Sequence, residues 1–289
     1  MPKTIADYDN EQLGLVRATC LYVATKLGDM LDDVVIIGGL VPSLLIDQRT
    51  LPAEVDPHVG TMDLDLGLTL GLLDEGRYHE LAERLRNAGF EPDKNAAGKP
   101  TRQRWKIEGP AKVTVDFLIQ PSQASDQAGK LRNLEEDFAA IIAPGLKLAF
   151  LDRERITLDG KTILNENATR DIWVAGPGAF VVLKSLAFEN RGEGKDAYDL
   201  FYVLRNFGSG VDAVAARLKP LLVEDDATKA LAILERDFLD PEGIGPIRVV
   251  EFMTGQRDAA TQADVVGFVQ SLLDMVGWRR AQKSLGERR

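Results

Sequence analysis

The chain has 289 residues, of which 45% are hydrophobic and 28% charged, and its 45 acidic and 35 basic side chains leave a net charge of −10. That length can bury a substantial core as one large domain or two ordinary ones, and the composition excludes an extended disordered chain. The negative charge repels a phosphate backbone over long range and excludes broad, nonspecific coating of nucleic acid, although a local basic patch stays open.

No apolar run approaches the roughly 18 to 20 residues that cross a bilayer, and the opening "MPKTIADYDNEQ" lacks a charged-then-apolar signal pattern, so a cytoplasmic protein without membrane contact is expected. The first helical pattern is "EQLGLVRATCLYVATKLGDML", with apolar residues at three- and four-residue steps. It carries the single cysteine, Cys20, which excludes disulfide frameworks and multi-cysteine metal sites and reads as a packing residue.

A strand "VVIIGG" follows, then a short helix "LVPSLLID" and a long polar loop "QRTLPAEVDPHVGT". "MDLDLGLTL" alternates as a half-buried strand, and "EGRYHELAERLRNAG" is a helix stopped by glycine. Strands "RQRWKIE" and "KVTVDFLIQ" meet at the turn "GPA", before a polar loop "PSQASDQAGKLRN". A mixed section holds expected strands "RERITLD" and "KTIL". Helices dominate from Gly176: "GAFVVLKSLAFEN", "KDAYDLFYVLRNF", "DAVAARLKPLLV", "DATKALAILERDF" and "TQADVVGFVQSLLDMVGW". The expected fold is α/β (α+β): a mixed sheet core flanked by helices over 1–135, then a mostly helical domain over 136–289, with the boundary between about 121 and 176. The terminal "WRRAQKSLGERR" is basic and reads as a solvated helix end or a nucleic-acid arm.

The chemistry concentrates in carboxylates. Asp63 and Asp65, two apart on a strand, face one side roughly 7 Å apart, while Leu64 and Leu66 face the core and pin the register. Asp116 interrupts the apolar strand "VTVDFLI", where a lone aspartate either meets a cation or destabilises the sheet. If the two strands are neighbours, three carboxylates converge in the manner of a divalent-metal site, since hard Mg²⁺ favours oxygen ligands and leaves positions open for phosphates. The pair alone also fits a solvated strand face. Upstream, Gly38 and Gly39 at a strand-to-helix turn suit either phosphate binding or a simple reversal of the chain.

In this order, a strand ending in Gly-Gly, a short helix, Asp-x-Asp on a strand and a third Asp on a later strand, the sequence resembles the DNA-polymerase-β-like nucleotidyltransferase superfamily. It is most similar there to the AbiEii/AbiGii-type toxin nucleotidyltransferases. The resemblance covers about residues 34 to 120 and the segment "LKSLAFENRGEGKDAYDLFYVL", with Lys184, Lys195, Asp196, Tyr198, Asp199 and Leu200 at the matching positions. It implies a nucleotidyltransferase-type sheet core, Mg²⁺ or Mn²⁺ as cofactor and a nucleoside triphosphate (NTP) as substrate. It implies catalytic roles for Asp63, Asp65, Asp116 and Lys184, with the three aspartates as metal ligands. Gly38, Gly39, Ser43, Thr61, Lys195 and Asp199 are expected on the nucleotide side. The implied activity moves a nucleotide to a hydroxyl of a macromolecule, tRNA or protein, as a toxin-type component with a cognate antitoxin. The chain departs from compact members in the surplus "TLPAEVDPHVG" before Asp63, a loop long enough to carry acceptor specificity or simply to be tolerated.

Read without the resemblance, Lys184 in the apolar helix "FVVLKSLAF" needs a partner or a ligand unless it snorkels at the helix edge. Asp196 suits a helix start, and Lys195 and Asp199 are spaced to pair within one helix. Ser43 donates to a phosphate or to backbone groups. His58, on the inserted loop before Thr61, either approaches the site or, the favoured reading, is a surface histidine, and neither it nor His79 has metal-ligand spacing. Arg102, Arg104 and Lys106 on one strand offer a basic patch. Two other readings remain: a metal-dependent nucleotide-sugar transferase using Asp-x-Asp, and a non-catalytic binding protein on the same fold. "GGLVPSLL" lacks the dinucleotide-binding glycine pattern, and "DLDLGLTLGLLDE" lacks the turn glycine of a calcium loop.

Overall fold

A computed structural model of the chain describes residues 4–69 and 75–278. They form two compact units: a sheet unit of Tyr8–Leu44 and Val59–Ala175, and a helical unit made of Leu45–His58 with the described parts of 1–7 and 176–289. The fold is mixed α/β, a nine-stranded mixed sheet flanked by helices followed by a helical C-terminal region.

The sheet unit opens with α1 (Asn10–Leu27), capped where the Asp9 side chain accepts the Glu11 N–H and ended at Gly28. Its buried Val16, Cys20, Val23 and Leu27 recur at helical spacing. Burial pushes the Cys20 thiol up to about 12, so it packs as an inert apolar group. β1 (Val34–Ile37) is buried throughout and turns at Gly38–Leu40 into the five-residue α2 (Val41–Leu45). There follow β2 (Asp63–Leu68), α3 (Glu75–Asn87), β3 (Glu91–Lys94), β4 (Pro100–Glu108), β5 (Lys112–Ile119), β6 (Leu131–Asn133), β7 (Ala139–Ile142), α4 (Leu148–Leu151), β8 (Arg153–Lys161) and β9 (Asn167–Ala175).

The strand order is β3-β4-β5-β2-β1-β9-β8, with β7 beside the end of β5 and β6 on β7. β2 runs parallel to β5 and antiparallel to β1. Strand alternation divides the central sheet by chemistry. Leu64, Leu66, Val113, Val115, Phe117 and Ile119 are fully buried, while Asp63, Asp65, Asp116 and Arg104 occupy alternate positions. Trp105, Phe117 and Phe138 meet edge-on behind them, with ring centroids 4.9 to 6.3 Å apart, and fix the apolar face.

One sequence expectation changes here. "KTIL" is not a strand beyond Lys161; it enters the turn of the β8–β9 hairpin, closed by the Thr162 N–H on the Glu166 carbonyl and by Asn165 in the left-handed conformation. The sheet unit ends at Ala175, at the far end of the expected 121–176 boundary range, because β7, β8 and β9 belong to the same sheet as β1.

The helical unit contains α5 (Pro177–Arg191), α6 (Gly194–Asn206), α7 (Val211–Leu218), α8 (Asp225–Phe238), α9 (Ile244–Thr254) and α10 (Ala259–Met275). α5 starts with Pro177 at its first position and stops at Gly192, in the left-handed conformation. At Gly178 a Cβ would lie 2.7 Å from the Arg217 backbone, so α5 and α7 approach as only glycine permits. Aromatic pairs Phe188–Phe238, Tyr198–Phe252 and Phe201–Phe268, at 5.1 to 5.6 Å, tie the helices together. The loop 45–58 packs within this unit. Gln48 Oε1 accepts both the His58 N–H at 2.7 Å and the Tyr202 hydroxyl at 2.8 Å.

Candidate functional site

Register across four neighbouring strands, β1, β2, β5 and β4, assembles one row in the sheet unit. Ile37, the last residue of β1, pairs with Asp65, which pairs with Asp116 on β5, which pairs with Arg104 on β4. Asp63 lies two residues before Asp65 and therefore on the same face. The result is a cluster in which one carboxylate oxygen from each of Asp63, Asp65 and Asp116 lies within 4.8 Å of the others. Asp116 is buried and Asp63 and Asp65 are half-buried.

Gly38 makes room for the cluster. Its φ is 72°, and an added Cβ would fall 1.9 Å from Asp65 Oδ2. The glycine thus answers both to a left-handed turn and to the close approach of a carboxylate. Thr61 Oγ1 donates to Asp63 Oδ1 at 2.9 Å, which orients that carboxylate from the end of the inserted loop. Ser43 is committed differently: its buried hydroxyl donates to the Leu40 carbonyl at 2.8 Å within its own turn. Gly39 is buried in the same turn.

The cluster carries a cation of its own. Arg104 donates to both oxygens of Asp116, from Nε at 2.7 Å and Nη2 at 2.5 Å, and Nη2 lies 3.4 Å from Asp63 Oδ2. Burial raises the Asp116 pKa above the usual carboxylate value, opposed by this guanidinium. The Asp116 bonds in turn hold the Arg104 pKa above its ordinary value against burial, so its charge is fixed. As a donor set, three carboxylates beside a backbone turn suit a hard, oxygen-seeking divalent ion, and the guanidinium is a stand-in cation showing that positive charge is accommodated there.

The lysines group separately, in the helical unit. Lys184 Nζ is buried and lies 2.9 Å from Asp196 Oδ1 and 2.7 Å from Asp199 Oδ2. Lys195 reaches Asp199 Oδ1 at 2.5 Å, one helical turn away as its spacing predicts. Arg191 takes Asp196 as well. Burial works against every charge here. The carboxylates outweigh it at Lys184, whose pKa is raised, and the lysines outweigh it at Asp199, whose pKa is lowered. At Lys195 burial prevails and the pKa falls.

His58 departs from its sequence reading. It is 1% exposed rather than superficial, with Nε2 2.9 Å from Asp199 Oδ1 and its ring stacked on Tyr198 and edge-on to Tyr202. Burial pulls its pKa down to about 4, with the Asp199 hydrogen bond opposing, so the imidazole is neutral at pH 7 and donates its Nε2–H to the carboxylate. The three basic side chains of β4 each have partners in the sheet unit. Arg104 serves the aspartates, Lys106 is held by Glu91 and Glu108, and Arg102 donates to Asn133. The basic terminal segment after Trp278 lies outside the described residues.

Of the residues singled out by sequence, Gly38, Asp63, Asp65, Asp116 and Thr61 come together in the sheet unit, and Lys184, Lys195 and Asp199 come together in the helical unit. Arg104 joins the aspartates through the β4–β5 register and His58 joins Asp199 through burial of its loop, and the linear pattern discloses neither pairing. No helix among the described residues is long and apolar enough to cross a membrane. No protein-family model matches the sequence, and no curated protein matches it.

Proposed function

We propose that the protein is a Mg²⁺- or Mn²⁺-dependent nucleotidyltransferase that moves a nucleotide from an NTP to a hydroxyl of a macromolecule, tRNA or protein. The observation that carries this reading is the convergence of Asp63, Asp65 and Asp116 oxygens within 4.8 Å on adjacent strands, beside the glycine turn that ends β1. Asp63, Asp65 and Asp116 would hold a divalent ion there, which would supply activation of an attacking hydroxyl and charge neutralisation of a leaving pyrophosphate. The chain's own residues prepare that site: Gly38 leaves space for Asp65, Thr61 orients Asp63, and the β2–β5 pairing sets Asp65 beside Asp116. The resemblance of the sequence to toxin nucleotidyltransferases supports a cytoplasmic toxin-type role with a cognate antitoxin.

The test is transfer of label. The purified protein is incubated with each radiolabelled NTP, Mg²⁺ and total cellular RNA or protein, beside an Asp63→Asn variant. Labelled macromolecule that vanishes in the variant supports the reading; no label from any NTP on either acceptor, with the protein folded, sinks it. A second reading, a nucleotidyltransferase fold kept as a non-catalytic binding protein, draws on one observation: Arg104 already neutralises part of the triad. It requires folded protein that neither binds a divalent ion nor transfers label.

A further inference from the structure

Arg104 occupies the place a metal needs. Its guanidinium takes both oxygens of Asp116 and approaches Asp63, and these are two of the three carboxylates whose oxygens gather within 4.8 Å. A divalent ion coordinated there requires oxygens that the guanidinium holds, and two cations a few ångströms apart repel each other. The two partners differ in freedom. The Asp116 side chain is 7% exposed and fixed on a central strand, whereas that of Arg104 is 35% exposed on a long stem able to turn its head toward water.

Resting on the metal-centre reading above, we infer that Arg104 is a displaceable internal cation, competing with divalent metal for Asp116 and Asp63 and holding the triad together until the metal arrives. In the metal-free protein it relieves repulsion among three carboxylates that the strand register forces onto one face. On metal binding the ion assumes that charge, and the guanidinium swings free of Asp116. Arg104 is thus a positioning residue acting through Asp116 and Asp63. Its forked contact sets how much metal is needed to open the site.

Direct metal binding tests this without any turnover. The full chain, its Arg104→Gln, Arg104→Lys and Asp63→Asn variants, and the Arg104→Gln/Asp63→Asn double variant are titrated with Mn²⁺, reading the loss of the free aqueous Mn²⁺ signal by electron paramagnetic resonance. Removing a charged, bidentate competitor should tighten Mn²⁺ binding about tenfold or more in Arg104→Gln. Arg104→Lys should fall between it and the parent, since lysine keeps the charge and loses the fork. Asp63→Asn should abolish binding in either background. Equal or weaker Mn²⁺ affinity in Arg104→Gln, with binding still dependent on Asp63, overturns the competition and leaves the metal centre standing. Absence of Asp63-dependent binding in every variant overturns the metal centre and the competition with it. If Arg104→Gln does not fold, the parent answers: the Arg104 Nε–H resonance should move on saturation with Mg²⁺, and one that stays fixed at saturation overturns the inference.

Discussion

Gly38 and Asp65 are in contact that no other residue at position 38 can reproduce: a Cβ there would stand 1.9 Å from Asp65 Oδ2, and the backbone has φ of 72°. The glycine at the end of β1 and the second aspartate of the Asp-x-Asp strand are therefore one feature. Strand pairing joins them, because Ile37 opposes Asp65 and the chain turns immediately afterwards.

Gly38→Ala should accordingly fail twice. The left-handed backbone alone costs about 1–3 kcal/mol for a residue with a Cβ, and the clash must also push the Asp65 carboxylate out of the cluster. Urea denaturation should show the stability loss, and Mn²⁺ titration a weaker site. Unchanged stability with unchanged metal binding would mean that the turn relaxes at no cost.

Asp63 and Asp116 should separate function from stability. The Asp63 side chain is 33% exposed and only 3.4 Å from Arg104 at its nearest, so Asp63→Asn should change metal-free stability little while removing metal binding. Asp116→Asn weakens the bidentate partner of a half-buried guanidinium and should destabilise by about 1–3 kcal/mol even without metal. Denaturation of both variants in a chelating buffer checks this. Equal losses would show that Arg104 is not principally held by Asp116.

The acidic half of this site was legible because a strand has a period of two. Asp63 and Asp65 alternate with Leu64 and Leu66, and Asp116 stands out in an apolar run. Arg104 was not legible as their partner, since its place opposite Asp116 depends on the β4–β5 register, set by the "GPA" turn and the packing of Trp105. β9 was hidden by the polar first half of "NATRDIWVA", which makes a hairpin arm rather than a core strand. α9 was hidden by Gly243, Gly245 and Pro246, which read as loop yet sit at its cap and first turn, where proline and glycine are tolerated. His58 was read as exposed from the polar, proline-rich loop around it. What buries it is Asp199, 141 residues away, and two tyrosines of α6.

The Lys184 cluster should behave as a buried ionic network. Lys184→Met leaves Asp196 and Asp199, whose side chains are at most 1% exposed, without their shared cation, and should cost about 3–5 kcal/mol. Neutralising one acid as well, in Lys184→Met/Asp199→Asn, should recover part of that loss, so the two changes are not additive. A denaturation cycle over the four proteins measures the coupling, and strict additivity would dissolve the network.

His58 gives the loop 45–58 a pH-sensitive attachment to α6. Unfolded, the imidazole takes a proton near its ordinary value of 6.5; folded, burial holds it neutral down to about 4. The unfolded chain therefore binds more protons between these values, and the stability this site contributes is complete above pH 6.5 and lost as the pH falls toward 4. The full loss is about 3 kcal/mol, from the separation of the two values. Asp199 and Asp196, whose folded values are lowered, contribute stability lost only below the ordinary carboxylate range, outside this window. Asp116 acts in the opposite sense, its raised value favouring the folded state as acid is added. His58→Gln keeps a donor toward Asp199 and removes the titration, so it isolates the imidazole. From about pH 7 to about pH 4.5 the parent should lose stability faster than His58→Gln, narrowing their difference by much of that 3 kcal/mol. Parallel denaturation profiles across that range would show that the imidazole already titrates freely in the folded protein, and that His58 does not fasten the loop by burial.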